Sequence, residues 1–166
     1  ESFNYPHLCD AGVNFVFQDH HILKPDFDKP MIPHLTLNPN VVLFSLFPGI
    51  QEHILHNVLL SKEVRGIVMR TFGSGNAPQT PWLVQALKKA TMRGIVVVNI
   101  SQCVAGTVAM GRYDTGYQLK DNGVVSGYDS TVEAAITKMM FLLAHHSDVS
   151  TIRNLMNKSL AGEISV

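Results

Sequence analysis

Residues 65–106 constrain the fold of this chain more than any other segment. They predict in order an apolar strand, a glycine-rich loop, a helix that Thr80 and Pro81 would begin, a second apolar strand and a polar loop. Two strands joined through a helix lie parallel in one sheet, and both loops then leave its carboxyl edge, where open α/β folds bind their ligands. Polar residues therefore gather along one rim, namely Arg70, Asn76, Ser101, Gln102 and Cys103.

The same alternation of strands and helices continues on both sides of this segment. Residues 41–47 predict a buried strand, and residues 50–60 predict a helix after it. Beyond the central segment, residues 124–125 can add a last short strand. The sequence therefore predicts an α/β fold, a small parallel sheet of about four strands flanked by helices.

Two further helices follow the last strand. Ser130 as the N-cap and Glu133 three residues later match a capping box, which predicts the start of the first of them. The second is predicted over residues 148–158. The inward face of the first is predicted from its apolar residues, which are Val132, Ile136, Met139, Met140 and Leu143.

Residues 1–40 differ in character from the rest. Prolines break this stretch repeatedly, and only short pieces such as residues 13–17 and 35–37 have the pattern of extended chain. We therefore interpret residues 1–40 as an interdomain linker that carries a small hairpin, and residues 41–166 as the α/β domain.

Composition excludes several classes of partner. The 166 residues include thirteen basic and thirteen acidic ones, and this zero net charge argues against nucleic acid. The apolar run at residues 41–47 is too short to span a bilayer, and the polar opening of the chain predicts neither a signal peptide nor a membrane partner. Cys9 and Cys103 are too few for a disulfide framework, so we expect reduced thiols and a cytoplasmic location.

The residues of the rim leave alternatives open. Residues 73–76, Gly-Ser-Gly-Asn, either approach a ligand or form a tight turn with Asn76 in left-handed geometry. Arg70 suits a bidentate carboxylate, or a structural ion pair within the chain. Cys103 could be a nucleophile only with a lowered pKa, and no local feature argues for one, so we favour a buried thiol.

No metal site or catalytic motif is visible in the pattern. His53 and His56 lie one turn apart, but no set of Cys, His and carboxylate residues has the spacing of a zinc site. No serine has the Gly-x-Ser-x-Gly setting of a hydrolase nucleophile. From residues alone, the chain is a ligand-binding α/β domain without visible catalytic machinery.

Several motifs in fixed order resemble a known family. RTFGSGNAPQ, RGIVVVN, ISQC, MGRYDTG and GVVSGYDSTVEAAITK together resemble the C-terminal domain of type I (cytosolic) L-asparaginases. The resemblance runs from the FNYPHLCDAGV opening to the LAGEIS ending, nearly the whole chain. It covers only the second half of a family member, so the catalytic N-terminal domain is not in this chain.

The resemblance implies hydrolysis of L-asparagine to L-aspartate and ammonia through a Thr nucleophile and an acyl intermediate, without a metal or organic cofactor. Both active-site threonines belong to the N-terminal domain. Asn76 matches an asparagine that reaches the neighbouring subunit's site, which implies a homo-oligomer, either a dimer or a dimer of dimers. Arg70, Ser101 and Cys103 match positions of a regulatory asparagine site in some members, with Ser101 in place of a threonine.

Other functions stay open at this point. The chain could be a stand-alone amino-acid-binding regulatory module without catalysis. It could also belong to the asparaginase-like subunit of a tRNA-dependent amidotransferase, which would use glutamine. A lysophospholipase-type activity, found in some relatives, has little support from the polar rim.

Overall fold

A computed structural model describes residues 5–59, 61–111 and 114–165, and the side chains of residues 114 and 115 lie outside this description. The chain divides into two units, Glu1–Leu35 and Thr36–Val166. The division into a linker over residues 1–40 and a domain over residues 41–166 stays a prediction.

The first unit contains the expected hairpin. Strands β1 (Cys9–Ala11) and β2 (Phe15–Phe17) pair antiparallel, with Cys9 opposite Phe17. The Gln18 amide donates to the Leu8 carbonyl at 2.9 Å and extends the ladder by one bond. The other extended piece that the sequence suggested, residues 35–37, forms no strand.

The second unit is built on the predicted parallel sheet. Its strands are β3 (Val41–Ser45), β4 (Gly66–Thr71), β5 (Val96–Ser101) and β6 (Val125–Ser126). They lie in the order β3-β4-β5-β6, and every neighbouring pair is parallel. The predicted fold class is therefore confirmed.

Helices connect the strands and cover both faces of the sheet. They are α1 (Glu52–Leu59), α2 (Pro81–Met92), α3 (Asp114–Asp121), α4 (Val132–His145) and α5 (Val149–Met156). Residues of α1, α2 and α3 share a core cluster with Ile67, Met69 and Val97. Residues of α4 and α5 pack instead on Val68, Val96, Val98 and Ile100. Because both faces are covered, the central strands are apolar almost without interruption.

Two predicted helix caps differ from the structure in detail. Thr80 is the N-cap of α2 and Pro81 follows it, as predicted, but the Thr80 side chain makes no capping hydrogen bond. In α4 the N-cap is Thr131, whose hydroxyl accepts from the Ala134 amide at 3.2 Å. Ser130 was therefore the wrong cap by one residue. Thr131 has the extended backbone that an N-cap requires, directly before the first helical residue.

The buried face of α4 also differs from the predicted stripe. Its fully buried residues are Ala135, Lys138, Met139 and Leu142. Of the predicted stripe, only Met139 is among them. The surprising member is Lys138, a charged residue that is only 8% exposed. A lysine in such a place must be paired, because an isolated buried ammonium is very unfavourable.

Lys138 is paired with the C-terminal segment. Its ammonium lies 2.6 Å from Glu163 Oε1 and donates to the carbonyls of Lys158 at 2.5 Å and Met156 at 3.3 Å. The Glu163 carboxylate also accepts from the Ala161 amide at 2.6 Å. Burial acts to raise the pKa of Glu163, but these hydrogen bonds outweigh it and hold the pKa below its ordinary value. The ion pair thus holds the last residues against α4.

We predict that Lys138→Ala lowers the free energy of unfolding by about 3 kcal/mol, because Glu163 would keep a buried charge without its partner. Urea denaturation of both proteins measures this difference. Lys88→Ala is the matched control, since Lys88 is an exposed lysine on α2 and should change stability by less than about 0.5 kcal/mol.

The pH dependence follows from the lowered pKa of Glu163. Its stabilising effect is complete above the ordinary carboxyl pKa of about 4.3 and is lost as the pH falls through the lower folded value. The difference between wild type and Lys138→Ala should therefore shrink in acid. A difference below about 1 kcal/mol at neutral pH would show that the pair holds nothing.

Candidate functional site

The carboxyl ends of β4 and β5 form the rim that the sequence predicted. Arg70 lies opposite Ile100 in the parallel register, and Thr71 lies opposite Ser101. The glycine-rich loop follows β4, and the polar residues Gln102 and Cys103 follow β5. Because parallel strands end at one edge, these side chains gather there although 31 residues separate Arg70 from Ser101 in the sequence.

The loop after β4 is a tight turn that closes on itself. Phe72 and Asn76 form an isolated antiparallel bridge, in which each amide donates to the other's carbonyl at 2.8–2.9 Å. Gly73 and Gly75 both have positive φ, whereas Tyr128 is the non-glycine residue with positive φ in the described chain. Asn76 is therefore not in left-handed geometry, contrary to the tight-turn interpretation. The backbone does not require an asparagine at this position.

Ser101 is engaged in the same loop. Its hydroxyl donates to the Gly73 carbonyl at 2.6 Å and accepts from the Cys103 amide at 2.9 Å. A side chain at Gly106 would collide with this hydroxyl, so Gly106 lets the following loop pass close to it. Ser101 keeps one lone pair with which it could accept from a ligand.

Sequence reasoning missed two residues beneath the loop. Thr71 and Asn99 are both fully buried, and the Thr71 hydroxyl donates to Asn99 Oδ1 at 2.7 Å. The Asn99 amide nitrogen then donates to the Gly75 carbonyl at 3.0 Å. The signal that could have found them is a lone amide inside the apolar run of residues 95–100, since a buried amide must be hydrogen-bonded.

Arg70 is half-buried beside the loop. Its Nε is buried and has no hydrogen-bond partner among the residues that the structure describes. Within the same residues Arg70 forms no ion pair with a carboxylate, so the alternative of a structural ion pair finds no support there. Its backbone carbonyl accepts from the Leu46 amide at 2.9 Å, which fixes the strand end that carries the guanidinium.

The other two rim residues divide between structure and solvent. Gln102 Nε2 donates to the carbonyls of Leu46 at 2.6 Å and Arg70 at 3.1 Å, so this amide joins the ends of β3 and β4. Cys103 is exposed, and our preference for a buried thiol was wrong. The reason is that β5 ends at Ser101, so Cys103 already lies in the loop beyond the covered sheet.

Two other features of the described chain lie apart from this rim. A cleft of about 680 Å³ is lined by residues of β6, α5 and the loop at 108–111, and it includes none of the rim residues. In the described ranges no three His, Cys, Asp or Glu side chains are grouped as metal ligands. Nor is any of the described helices long and apolar enough to cross a bilayer.

The fold and the rim define an open α/β domain of the ligand-binding class. Residues 40–156 match the family model of the glutaminase/asparaginase C-terminal domain. The chain therefore belongs to this family, and the fold and the sequence motifs lead to the same assignment.

Individual relatives agree with this assignment. The chain is 38% identical to L-asparaginase 1 of Escherichia coli K12, over 98% of this chain and 47% of that protein. The crystal structure of L-asparaginase I from Vibrio cholerae superposes with a TM-score of 0.90 at 37% identity, and covers 98% of this chain and 49% of that one. The chain thus spans about half the length of these relatives and corresponds to their C-terminal part.

Relatives with other names also match. The 60 kDa lysophospholipase of Mus musculus is 32% identical over 98% of this chain and 29% of that protein. One of the subunits of the glutamyl-tRNA(Gln) amidotransferase of Saccharolobus solfataricus is 37% identical over 75% of this chain and 28% of that protein. The domain therefore occurs in proteins of more than one named activity.

Proposed function

We propose that this chain is the C-terminal domain of an L-asparaginase, an enzyme that hydrolyses L-asparagine to L-aspartate and ammonia. The observation that carries the proposal is the loop at residues 73–76, which places Asn76 at the ligand edge of the sheet without any backbone need for an asparagine there. Both the amide and the carbonyl of such a side chain can contact an amino-acid substrate.

The proposed chemistry is divided between two domains. A threonine hydroxyl from the N-terminal domain attacks the side-chain amide carbon of asparagine, and ammonia leaves as the aspartyl ester forms. Water then cleaves this ester, releases aspartate and returns the hydroxyl. Asn76, from the neighbouring subunit, orients the substrate and the reacting groups and takes no part in bond-making. This arrangement requires a homo-oligomer, which we propose to be a dimer or a dimer of dimers in the cytoplasm.

We further propose that Arg70, Ser101 and Cys103 line a second site for asparagine. The buried Arg70 Nε can donate to the α-carboxylate of an amino acid, and the free lone pair of Ser101 can accept from its ammonium group. The exposed thiol of Cys103 lies at the same strand end. Such a site regulates turnover only if asparagine binds two states of the enzyme with different affinities.

A role within an amidotransferase is the second candidate. The match to the Saccharolobus solfataricus protein favours it, although the matched part is a smaller share of both chains. The two candidates differ in substrate, because a role in an amidotransferase requires ammonia from glutamine. The chain alone should release ammonia from neither amino acid.

We predict that this chain, mixed with the N-terminal domain encoded with it, releases ammonia from asparagine, whereas neither part does so alone. Asn76→Ala should lower kcat of the mixture about tenfold to a hundredfold, because the substrate is less well oriented. Coupled ammonia assays and thermal unfolding of each chain measure both effects.

The matched control is Asn57→Ala, since Asn57 is an exposed asparagine on α1, and its kcat should stay unchanged. The melting temperature of Asn76→Ala should stay within a few degrees of wild type. Ammonia release by this chain alone would contradict the division of labour, and an unfolded Asn76→Ala would support a purely structural turn.

A separate prediction concerns Arg70. Calorimetry with L-asparagine should give a weaker Kd for Arg70→Ala than for wild type by about tenfold or more, because a charge-assisted carboxylate contact contributes about 1.5–3 kcal/mol. Arg65→Ala is the control, an exposed arginine near the opposite end of β4. Equal Kd values for all three proteins would remove Arg70 from the proposed second site.

A further inference from the structure

Strand β5 directs two polar side chains at the loop that carries Asn76. Asn99 and Ser101 are two residues apart and therefore lie on the same face of the strand. Asn99 donates to the Gly75 carbonyl at 3.0 Å, and Ser101 donates to the Gly73 carbonyl at 2.6 Å. Both glycines of the loop are thus held from beneath by side chains of the neighbouring strand.

Asn99 is the more constrained of the two. It is 0% exposed in a strand that is otherwise apolar, so its amide must find partners within the protein. The Thr71 hydroxyl donates to its Oδ1 at 2.7 Å, while the other acceptor near that hydroxyl, the Ile100 carbonyl, lies at 3.4 Å. Because Thr71 occupies the oxygen end of the amide, the nitrogen end faces Gly75.

Gly75 is seated closely on this amide. A Cβ at Gly75 would lie 3.2 Å from Asn99 Nδ2 and 2.7 Å from Val108 Cγ1, and the residue has φ +102°. The preceding carbonyl, that of Ser74, accepts from the Ala109 amide at 3.0 Å. The backbone directly before Asn76 is therefore fixed from several sides, and Asn99 is the side chain nearest to Asn76 along this chain of contacts.

We propose that Asn99, oriented by Thr71, is a positioning residue that sets the place of Asn76. The inference rests on the proposed function, in which Asn76 orients the substrate in the neighbouring subunit's site. Asn99 acts only through the Gly75 carbonyl and the adjoining Asn76 backbone. A shift of this carbonyl moves Asn76 directly, and a displacement of about 1 Å in a positioning group can cost about a hundredfold in rate.

A double-mutant cycle in the assembled enzyme tests the proposal. Thr71→Val keeps the shape of the side chain and removes the hydroxyl that orients Asn99, while Thr71→Ser keeps the hydroxyl. Both are made with Asn76 and with Asn76→Ala, and kcat and KM are measured for each mixture of this chain with its N-terminal domain. Asn99→Ser, which removes the amide itself, serves as the second variant.

With Asn76 present, Thr71→Val and Asn99→Ser should lower kcat about tenfold or more and change KM less, whereas Thr71→Ser should stay within about twofold of wild type. In the Asn76→Ala background the same substitutions should change kcat by less than about twofold, since they act through a side chain that is gone. Val96→Ala is the control for lost stability. It lies fully buried in the other core cluster, and its kcat should equal that of wild type.

The outcomes separate this inference from the proposed function. If Asn76→Ala lowers kcat but Thr71→Val and Asn99→Ser do not, or if their effects multiply equally in both backgrounds, Asn99 is not a positioning residue. If Asn76→Ala itself leaves kcat unchanged, the proposed function fails and this inference with it. A loss of kcat in Val96→Ala as large as that in Thr71→Val would assign the effect to general destabilisation.

Discussion

The parallel pairing of β4 with β5 is the constraint on which the site depends. It sets Thr71 opposite Ser101 and brings both loops to one edge of the sheet. Helices cover both faces of these strands, so polar groups inside them must be paired within the protein. The Thr71–Asn99 pair satisfies this requirement and at the same time holds the loop that presents Asn76. Core packing and site geometry therefore share the same hydrogen bonds.

Much of the fold could be predicted because it is encoded in local periodicity. The apolar strands, the loops at their carboxyl ends and the inward stripe of α2 all follow from the order of apolar and polar residues. The rim itself follows from topology, since parallel strands joined by helices end at the same edge. For this reason the sequence alone predicts that Arg70 and Ser101 lie together.

The remaining features depend on contacts between residues that are distant in sequence. Asn99 meets Thr71 across 28 positions of the chain, and Lys138 meets Glu163 only after α5 has turned back. No local pattern distinguishes a buried, paired lysine from an exposed one on a helix. The exposure of Cys103 depends on where β5 ends, and strand boundaries are the least certain part of a sequence-based prediction.

The central claim is that this domain supplies Asn76 to a pocket whose reacting hydroxyl belongs to another domain. A crystal structure of the complete enzyme with L-aspartate bound tests it most directly. We expect the Asn76 side chain within hydrogen-bond distance, about 3 Å, of the ligand or of a catalytic group in the neighbouring subunit. If Asn76 lies remote from every intersubunit pocket that holds aspartate, the account is wrong.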